Sequence, residues 1–266
     1  MKISIITINY NNIDGLKATF ESVISQTYID KEFIVIDGGS TEGAREYVHT
    51  HSLNMVYWCC EKDKGLYDAM NKGIRKSTGD YLIFMNSGDR FFNENVLSDI
   101  FDQRIYTEDV LYGSTVYEYN GKGVLRHPRT VEVLAKELPW CHQSTFVKGD
   151  VMRKIMYDTR YKIIADYAFF YKLWNEHYSF RRINKIVAIY DTTGMSADSS
   201  RSKQIFRERC MIYGKEFPVI SYWFKLFRQE IRKKVRDIIP TNIMDIIMRR
   251  PKNSTKCVDI MDIRQL

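Results

Sequence analysis

An α/β fold built around a parallel sheet is the class that this sequence predicts, and three observations predict it. Short β-branched apolar runs alternate with segments of helical periodicity through the first 85 residues. Each run ends in a polar turn bearing Gly or Asn. With 44% hydrophobic residues, 14% aromatic residues and only 5 Pro, the chain has ample material for a core and is not a disordered protein. Strand, helix, strand, helix, strand, helix, strand is the order of a parallel sheet with right-handed crossovers.

KISIITI (2–8) reads as a buried strand that ends at Asn9, Tyr10, Asn11 and Asn12. Leu16, Phe20, Val23 and Ile24 then recur at helical spacing, with Asn12 or Asp14 available as N-cap. EFIVID ends at Asp37, and Gly38, Gly39 and Ser40 turn the chain into a helix near residues 42–50. A third strand lies around 55–59, followed by the charged loop Glu61, Lys62, Asp63, Lys64, Gly65 and a helix carrying Leu66, Met70 and Ile74 on one face, stopped by Gly79. DYLIFM (80–85) is the fourth strand and ends in Asn86, Ser87, Gly88, Asp89.

After residue 110 the pattern changes. Two β-type runs flank Asn120 and Gly121, which is a hairpin signal. A strand over 143–147, a helix over about 149–156, a longer helix over 165–176 and a return strand near 185–190 follow. The predicted organisation is one α/β domain over residues 1–200, with a nucleotide-binding half of about 1–110 and an acceptor half of about 111–200. Residues 201–266 form a basic amphipathic helical extension.

The charge supports that division. The formal net charge is +7, yet residues 1–200 carry 24 Lys and Arg against 26 Asp and Glu, while residues 201–266 carry 16 against 7. A nucleic-acid-binding body should bear its positive field on the body, so this slightly acidic one argues against nucleic acid as partner. The five cysteines (Cys59, Cys60, Cys141, Cys210, Cys257) lack paired spacing. They read as incidental or buried thiols of a reducing compartment rather than a zinc cage or disulfide framework. No stretch approaches about 18 uncharged apolar residues, and Met1 and Lys2 run straight into a strand. A cytoplasmic protein is the expectation.

Ligands of open parallel sheets bind outside the carboxyl ends of the strands. Asn9, Asp37 and the Asn86–Asp89 turn would line one such edge. A carboxylate beside a flexible Gly turn suits a hydrogen bond to a ribose or base edge, and Asp89 suits a hard divalent cation whose other ligands are diphosphate oxygens. Singly, each is an ordinary turn or cap residue; it is their convergence on one edge that carries weight.

SIITINYNN, EFIVIDGGSTEG, EKDKGLYDAMNKGI and GDYLIFMNSGD, in this order and spacing, resemble the family 2 glycosyltransferases of GT-A fold, most of all the bacterial branch that builds surface polysaccharides. The resemblance covers about residues 1–195. It implies that Thr7, Asn9 and Asp37 meet the nucleoside, usually uridine. It also implies that Lys64, Gly65 and Asp68 lie along the nucleotide sugar, with Asn86 and Ser87 beside them, and that Asp89, last acid of the DxD element, holds Mn²⁺ or Mg²⁺ against the diphosphate. The sequence departs from the family pattern twice. Gly38 stands where a second acid is usual, and the DxD element reads Asn-Ser-Gly-Asp, so fewer protein carboxylates meet the metal.

Transfer to a hydroxyl with inversion also needs a general base. Asp166, which opens the helix DYAFFYKLW, occupies the place where family members put that acid; an Asp in a first helical turn also suits the helix dipole. Asp150 and Asp158 compete less well, having no apolar helix behind them. His142, in PWCHQSTF, matches a segment of this branch and is a candidate contact to phosphate or acceptor, or else a structural His. Asp191–Ser196 resembles the loop that closes over the donor, with Gly194 and Ser196 the residues that carry over. The QxxRW signature of processive synthases is missing, which favours single-sugar transfer.

Ile220, Phe224, Phe227, Ile231, Val235 and Ile238 recur at intervals of three and four among Lys and Arg residues, the pattern of an interfacial helix on anionic lipid or of a helix packed on the domain. A lipid-linked acceptor at the inner face of the cell membrane would favour the first, with residues 220–250 as the contact. Two other readings are a sugar nucleotidyltransferase, which should carry a basic Gly-rich phosphate loop after strand one, and a non-catalytic basic membrane-binding adaptor.

Overall fold

The computed structural model describes residues 1–41, 43–119, 122–192 and 201–216, with 258–259 as backbone. The chain divides into two units, 1–199 with 257–266, and 200–256. In the second, the described element is one helix, α7 (Ser202–Ile212). The predicted 220–250 segment, Gly194 and Ser196 lie outside the described residues.

The first unit is an α/β sheet with helices on both faces. Strands β1 (Ile3–Asn9), β2 (Lys31–Asp37), β3 (Tyr57–Cys60) and β4 (Tyr81–Phe84) are parallel in the order β3-β2-β1-β4. Helices α1 (Ile13–Ile24), α2 (Ala44–Thr50) and α3 (Leu66–Lys76) make the crossovers. Alternate strand residues go to opposite faces. Ile3, Ile5, Phe33, Val35 and Ile83 share a core with Leu16, Phe20 and Val23 of α1 and with Ala44 and Val48 of α2. Ile6, Ile34 and Ile36, equally buried, face the other way, where α3 packs on β1 and β2 through Met70 and Ile74. All seven residues of β1 are buried, as a strand covered on both faces requires.

Beyond β4 the sheet is mixed. β5 (Arg90–Phe91) and α4 (Val96–Phe101) lead into β6 (Val110–Tyr119), which pairs antiparallel with β7 (Lys122–Arg126) in the expected hairpin. β8 (Thr145–Lys148) lies antiparallel between β4 and β6, and α5 (Gly149–Ile155) and α6 (Ala165–Asn175) follow. β9 (Phe180–Asp191) runs parallel to β6, with a register break around Gly113, and antiparallel to β5. β10 (Val258–Asp259) pairs with β7. Most paired residues stand in the parallel ladders β1–β2, β1–β4, β2–β3 and β6–β9.

Two elements differ from expectation. Gln143 and Ser144 belong to a 3-10 turn over His142–Ser144, and the strand starts only at Thr145. β9 begins five residues before the expected Lys185 because its first half carries polar residues on an exposed face: Arg181 pairs with Glu108, and Lys185 with Asp99.

Candidate functional site

The carboxyl ends of β1, β2 and β4 meet where the sequence places them. Asn9 and Asp37 are register partners across β1 and β2, and Asp37 and Cys60 across β2 and β3. Asp37 is fully buried and densely served with donors. Its Oδ2 accepts from Asn9 Nδ2 (2.6 Å) and Ser40 Oγ (2.6 Å); its Oδ1 accepts from Ser40 N (2.8 Å), Gly39 N (3.0 Å) and the Cys60 thiol (2.9 Å). Burial alone would raise its pKa, but the bonds from Cys60, Ser40 and Asn9 hold it below the ordinary carboxylate value. The network continues through Ser87, whose hydroxyl donates to Asn9 Oδ1 at 2.7 Å, and the amide of Asn11, which donates to Ser40 Oγ at 2.7 Å.

The loop before α3 is shaped by Gly65, whose φ of 124° is reached readily by glycine alone, and which is the N-cap of α3. Asp68, three residues on, accepts from the amide of Lys64, the residue before the N-cap, at 3.0 Å and so ties the loop to the first turn. Lys64 and Gly65 are exposed at this edge. Thr7 differs from its expected surroundings: it is fully buried within β1, and its hydroxyl donates to the Met85 carbonyl at 2.7 Å.

Asp89 sits deeper. It is 4% exposed; its Oδ2 accepts from Gln143 Nε2 (3.0 Å) and its Oδ1 from the Asp191 amide (3.1 Å). Burial raises its pKa to about 7, and the nearby charge of Asp191 adds to the rise against those two donors. Gly88, at φ 103°, makes room for Asp191: a Cβ there would come 2.9 Å from Asp191 Oδ2. The ends of β4 and β9 thus bring two carboxylates together, and among the described residues no group of three His, Cys, Asp or Glu side chains forms. Two carboxylates with the rest supplied by phosphate and water is the donor set of a hard divalent cation, so the residues present fit an ion completed by its substrate. Asn86 Oδ1, in the same turn, is a buried acceptor with no partner.

Asp166 lies in the first turn of α6, two residues after the N-cap Ile164. The Tyr67 hydroxyl of α3 lies 2.7 Å from the Ile163 carbonyl and 3.1 Å from Asp166 Oδ1, its one hydrogen shared between two acceptors. His142 Nδ1 is 3.6 Å from Asp166 Oδ2. Burial lowers the His142 pKa while the Asp166 charge opposes the fall, and Nε2 is buried without a partner. In the neutral ring, a hydrogen on Nδ1 suits the carboxylate and leaves Nε2 as a lone pair. The rival acids are otherwise engaged. Asp158 is bound to the Arg160 guanidinium at 2.6 Å, and Asp150 accepts from the Val151 amide at 2.8 Å.

Asn9, Asp37 and Ser87 therefore form one hydrogen-bonded group; Asp166, hydrogen-bonded to Tyr67 with His142 at 3.6 Å, stands in a second. Sequence reasoning gave no role to Ser40, Cys60, Tyr67, Gln143 or Asp191. Ser40, Tyr67, Gln143 and Asp191 stand within one to three residues of a named candidate, and Cys60 ends the strand beside Asp37; strand-end position was the available signal.

The family profile described as Glycosyl transferase family 2 matches residues 4–185. An uncharacterized glycosyltransferase of Mycobacterium tuberculosis is 34% identical over 204 residues, which cover 73% of this chain and 77% of the relative. Two solved structures share the fold. Staphylococcus aureus TarS 1–349 in complex with UDP has a TM-score of 0.62 at 17% identity, over 80% of this chain and 64% of that one. The mannosyltransferase PcManGT of Pyrobaculum calidifontis, in complex with GDP-Man and Mn²⁺, has a TM-score of 0.59 at 15% identity, over 80% of this chain and 63% of that one. With its parallel sheet, polar strand ends and profile match spanning both halves of the sheet, the chain belongs to glycosyl transferase family 2 and has the GT-A fold.

Proposed function

We propose that this glycosyltransferase moves a single sugar, a hexosyl or N-acetylhexosaminyl group, from a UDP-linked donor to a hydroxyl of a growing, lipid-linked surface glycan, with inversion at the anomeric carbon. The observation that carries the reading is the separation of two carboxylate environments along one sheet edge: a lowered, donor-rich Asp37 and an Asp166 held between Tyr67 and His142.

Asn9, Asp37 and Ser87 form the nucleoside end of the site, where the buried Asp37 anion holds Asn9 and the Gly39–Ser40 turn in the positions that meet the base and ribose. Lys64 and Gly65 lie along the diphosphate and sugar, and Asp68 keeps their loop in place. Asp166 takes the proton of the acceptor hydroxyl as that oxygen bonds to the anomeric carbon and the nucleotide diphosphate departs. His142 Nε2 offers an acceptor to a second hydroxyl near the same place. Asp89, with Asp191 beside it, would hold Mn²⁺ or Mg²⁺, and the cation when bound offsets the charge of the leaving diphosphate. PcManGT, which was solved with Mn²⁺, supports that assignment by likeness of fold.

The basic excess of residues 201–266 favours work against an anionic membrane at the inner face of the cell, with residues 220–250 as the contact. Among the described residues no helix is long and apolar enough to cross a membrane.

A screen of nucleotide release with UDP, GDP and dTDP sugars tests the reading. UDP release from one UDP-sugar, dependent on Mn²⁺ or Mg²⁺, is expected. Release from GDP- or dTDP-sugars alone would overturn the donor assignment, and turnover unchanged by EDTA would overturn the role of Asp89.

A further inference from the structure

The DxD element of this chain keeps one acid, Asp89, whose carboxylate is held by the Asn86 backbone within the element and by side-chain and backbone donors from outside it. The contacts say from where. Gln143, 3% exposed, reaches across from the 3-10 turn before β8 and donates its amide N–H to Asp89 Oδ2 at 3.0 Å. An amide side chain can face either way, and here its direction is settled by a neighbour: the Cys141 thiol donates to Gln143 Oε1 at 2.7 Å, which leaves the NH₂ end for the carboxylate. Cys141 is in turn hydrogen-bonded to Tyr117 of β6. A hydrogen-bonded file, from half-buried Tyr117 and Cys141 to buried Gln143, thus ends on Asp89.

We propose that Gln143 is a positioning residue for cation binding, holding the Asp89 carboxylate in the orientation that meets a divalent ion, with the Cys141 thiol orienting the amide. This rests on the cation reading of Asp89 given above. Gln143 takes one lone-pair direction of Oδ2 and the Asp191 amide takes one of Oδ1. A carboxylate has about four such directions, so the outward ones stay available. Hydrogen bonds to metal-ligating carboxylates typically govern metal affinity by about 10- to 100-fold. The same segment places His142 at Asp166, so consecutive side chains of one turn reach two carboxylates 77 positions apart in the chain.

The experiment measures Mn²⁺ binding to the full-length protein with saturating UDP, by calorimetry, beside UDP binding without metal and thermal stability. Gln143→Met keeps the length and removes the donor; it should weaken Mn²⁺ about 10- to 100-fold while UDP affinity without metal stays within about twofold. If that variant does not fold, Cys141→Ala serves, with a smaller loss of the same sign, and Cys141→Ser, which keeps a donor for Oε1, should restore most of it. Unchanged Mn²⁺ affinity in the folded Gln143 variant, or Mn²⁺, UDP and stability falling in step, overturns the assignment. Wild-type protein that binds no Mn²⁺ with UDP present overturns the cation reading itself, and the assignment with it.

Discussion

Asp37 and Asp89 stand at the carboxyl ends of two strands of the same sheet, both buried, and their environments push them in opposite directions. Asp37 receives five hydrogen bonds and its pKa is lowered; Asp89 receives fewer, from Gln143, the Asp191 amide and the Asn86 backbone, faces the charge of Asp191, and is raised to about 7. Burial raises both, so the number of donors and the neighbouring charge decide the outcome. Around Asp37 the polar atoms satisfy one another. Around Asp89 and Asp166 they do not, since Asn86 Oδ1 and His142 Nε2 are buried without partners. Buried polar groups are normally paired, and exceptions gather where a ligand completes the site. On the proposed reading, the first region binds and the second reacts.

Four changes break or sharpen that contrast, taken from the largest effect down. Asp37→Ala removes the acceptor that five donors share and frees Asn9 and the Gly39–Ser40 turn, and should weaken UDP about 10- to 100-fold in calorimetry. Tyr67→Phe keeps the ring on Tyr157, whose centroid is 5.3 Å away, and removes the hydroxyl at Asp166. It should lower the transfer rate about tenfold, with UDP affinity unmoved.

The third change uses pH. Asp37 has a folded pKa below its ordinary 3.8, so its stabilisation is present above that value and is lost as pH falls through the lowered one. Asp89 is raised, so folding favours its protonated form; that contribution is whole below about 4, fades as pH rises, and is gone above about 7. Asp89→Asn should therefore raise the melting temperature of the metal-free protein at pH 8, on the order of 5 °C, and leave it nearly unchanged at pH 5. Equal shifts at both pH values would refute the burial account. Last, Ser87→Ala removes one bond to Asn9 and should cost about 0.5–1.5 kcal/mol of stability in urea unfolding.

The donor edge was legible in the sequence because it is local: a β-branched run, a polar stop and a Gly turn place Asn9, Asp37 and the Asn86–Asp89 turn without knowledge of partners. Asp166 was legible by its place at a helix start. Gln143 and Tyr67 were not, since each acts on a carboxylate 54 or 99 positions away, and neither a residue type nor a period marks such a contact. The first half of β9 carries no apolar run that marks a strand; Arg181 and Lys185 there pair with Glu108 and Asp99 on an exposed face. Thr7 marks the converse: the resemblance implied a nucleoside contact, whereas its hydroxyl serves the Met85 carbonyl inside the sheet.

The central claim is that binding and proton transfer reside in separate groups along one edge, and Asp166→Asn tests it most directly when sugar transfer and UDP affinity are measured on the same preparation. The account predicts transfer reduced by about 10²-fold or more with UDP affinity within about twofold of wild type. Transfer retained in the folded variant, or both quantities lost together, would contradict it.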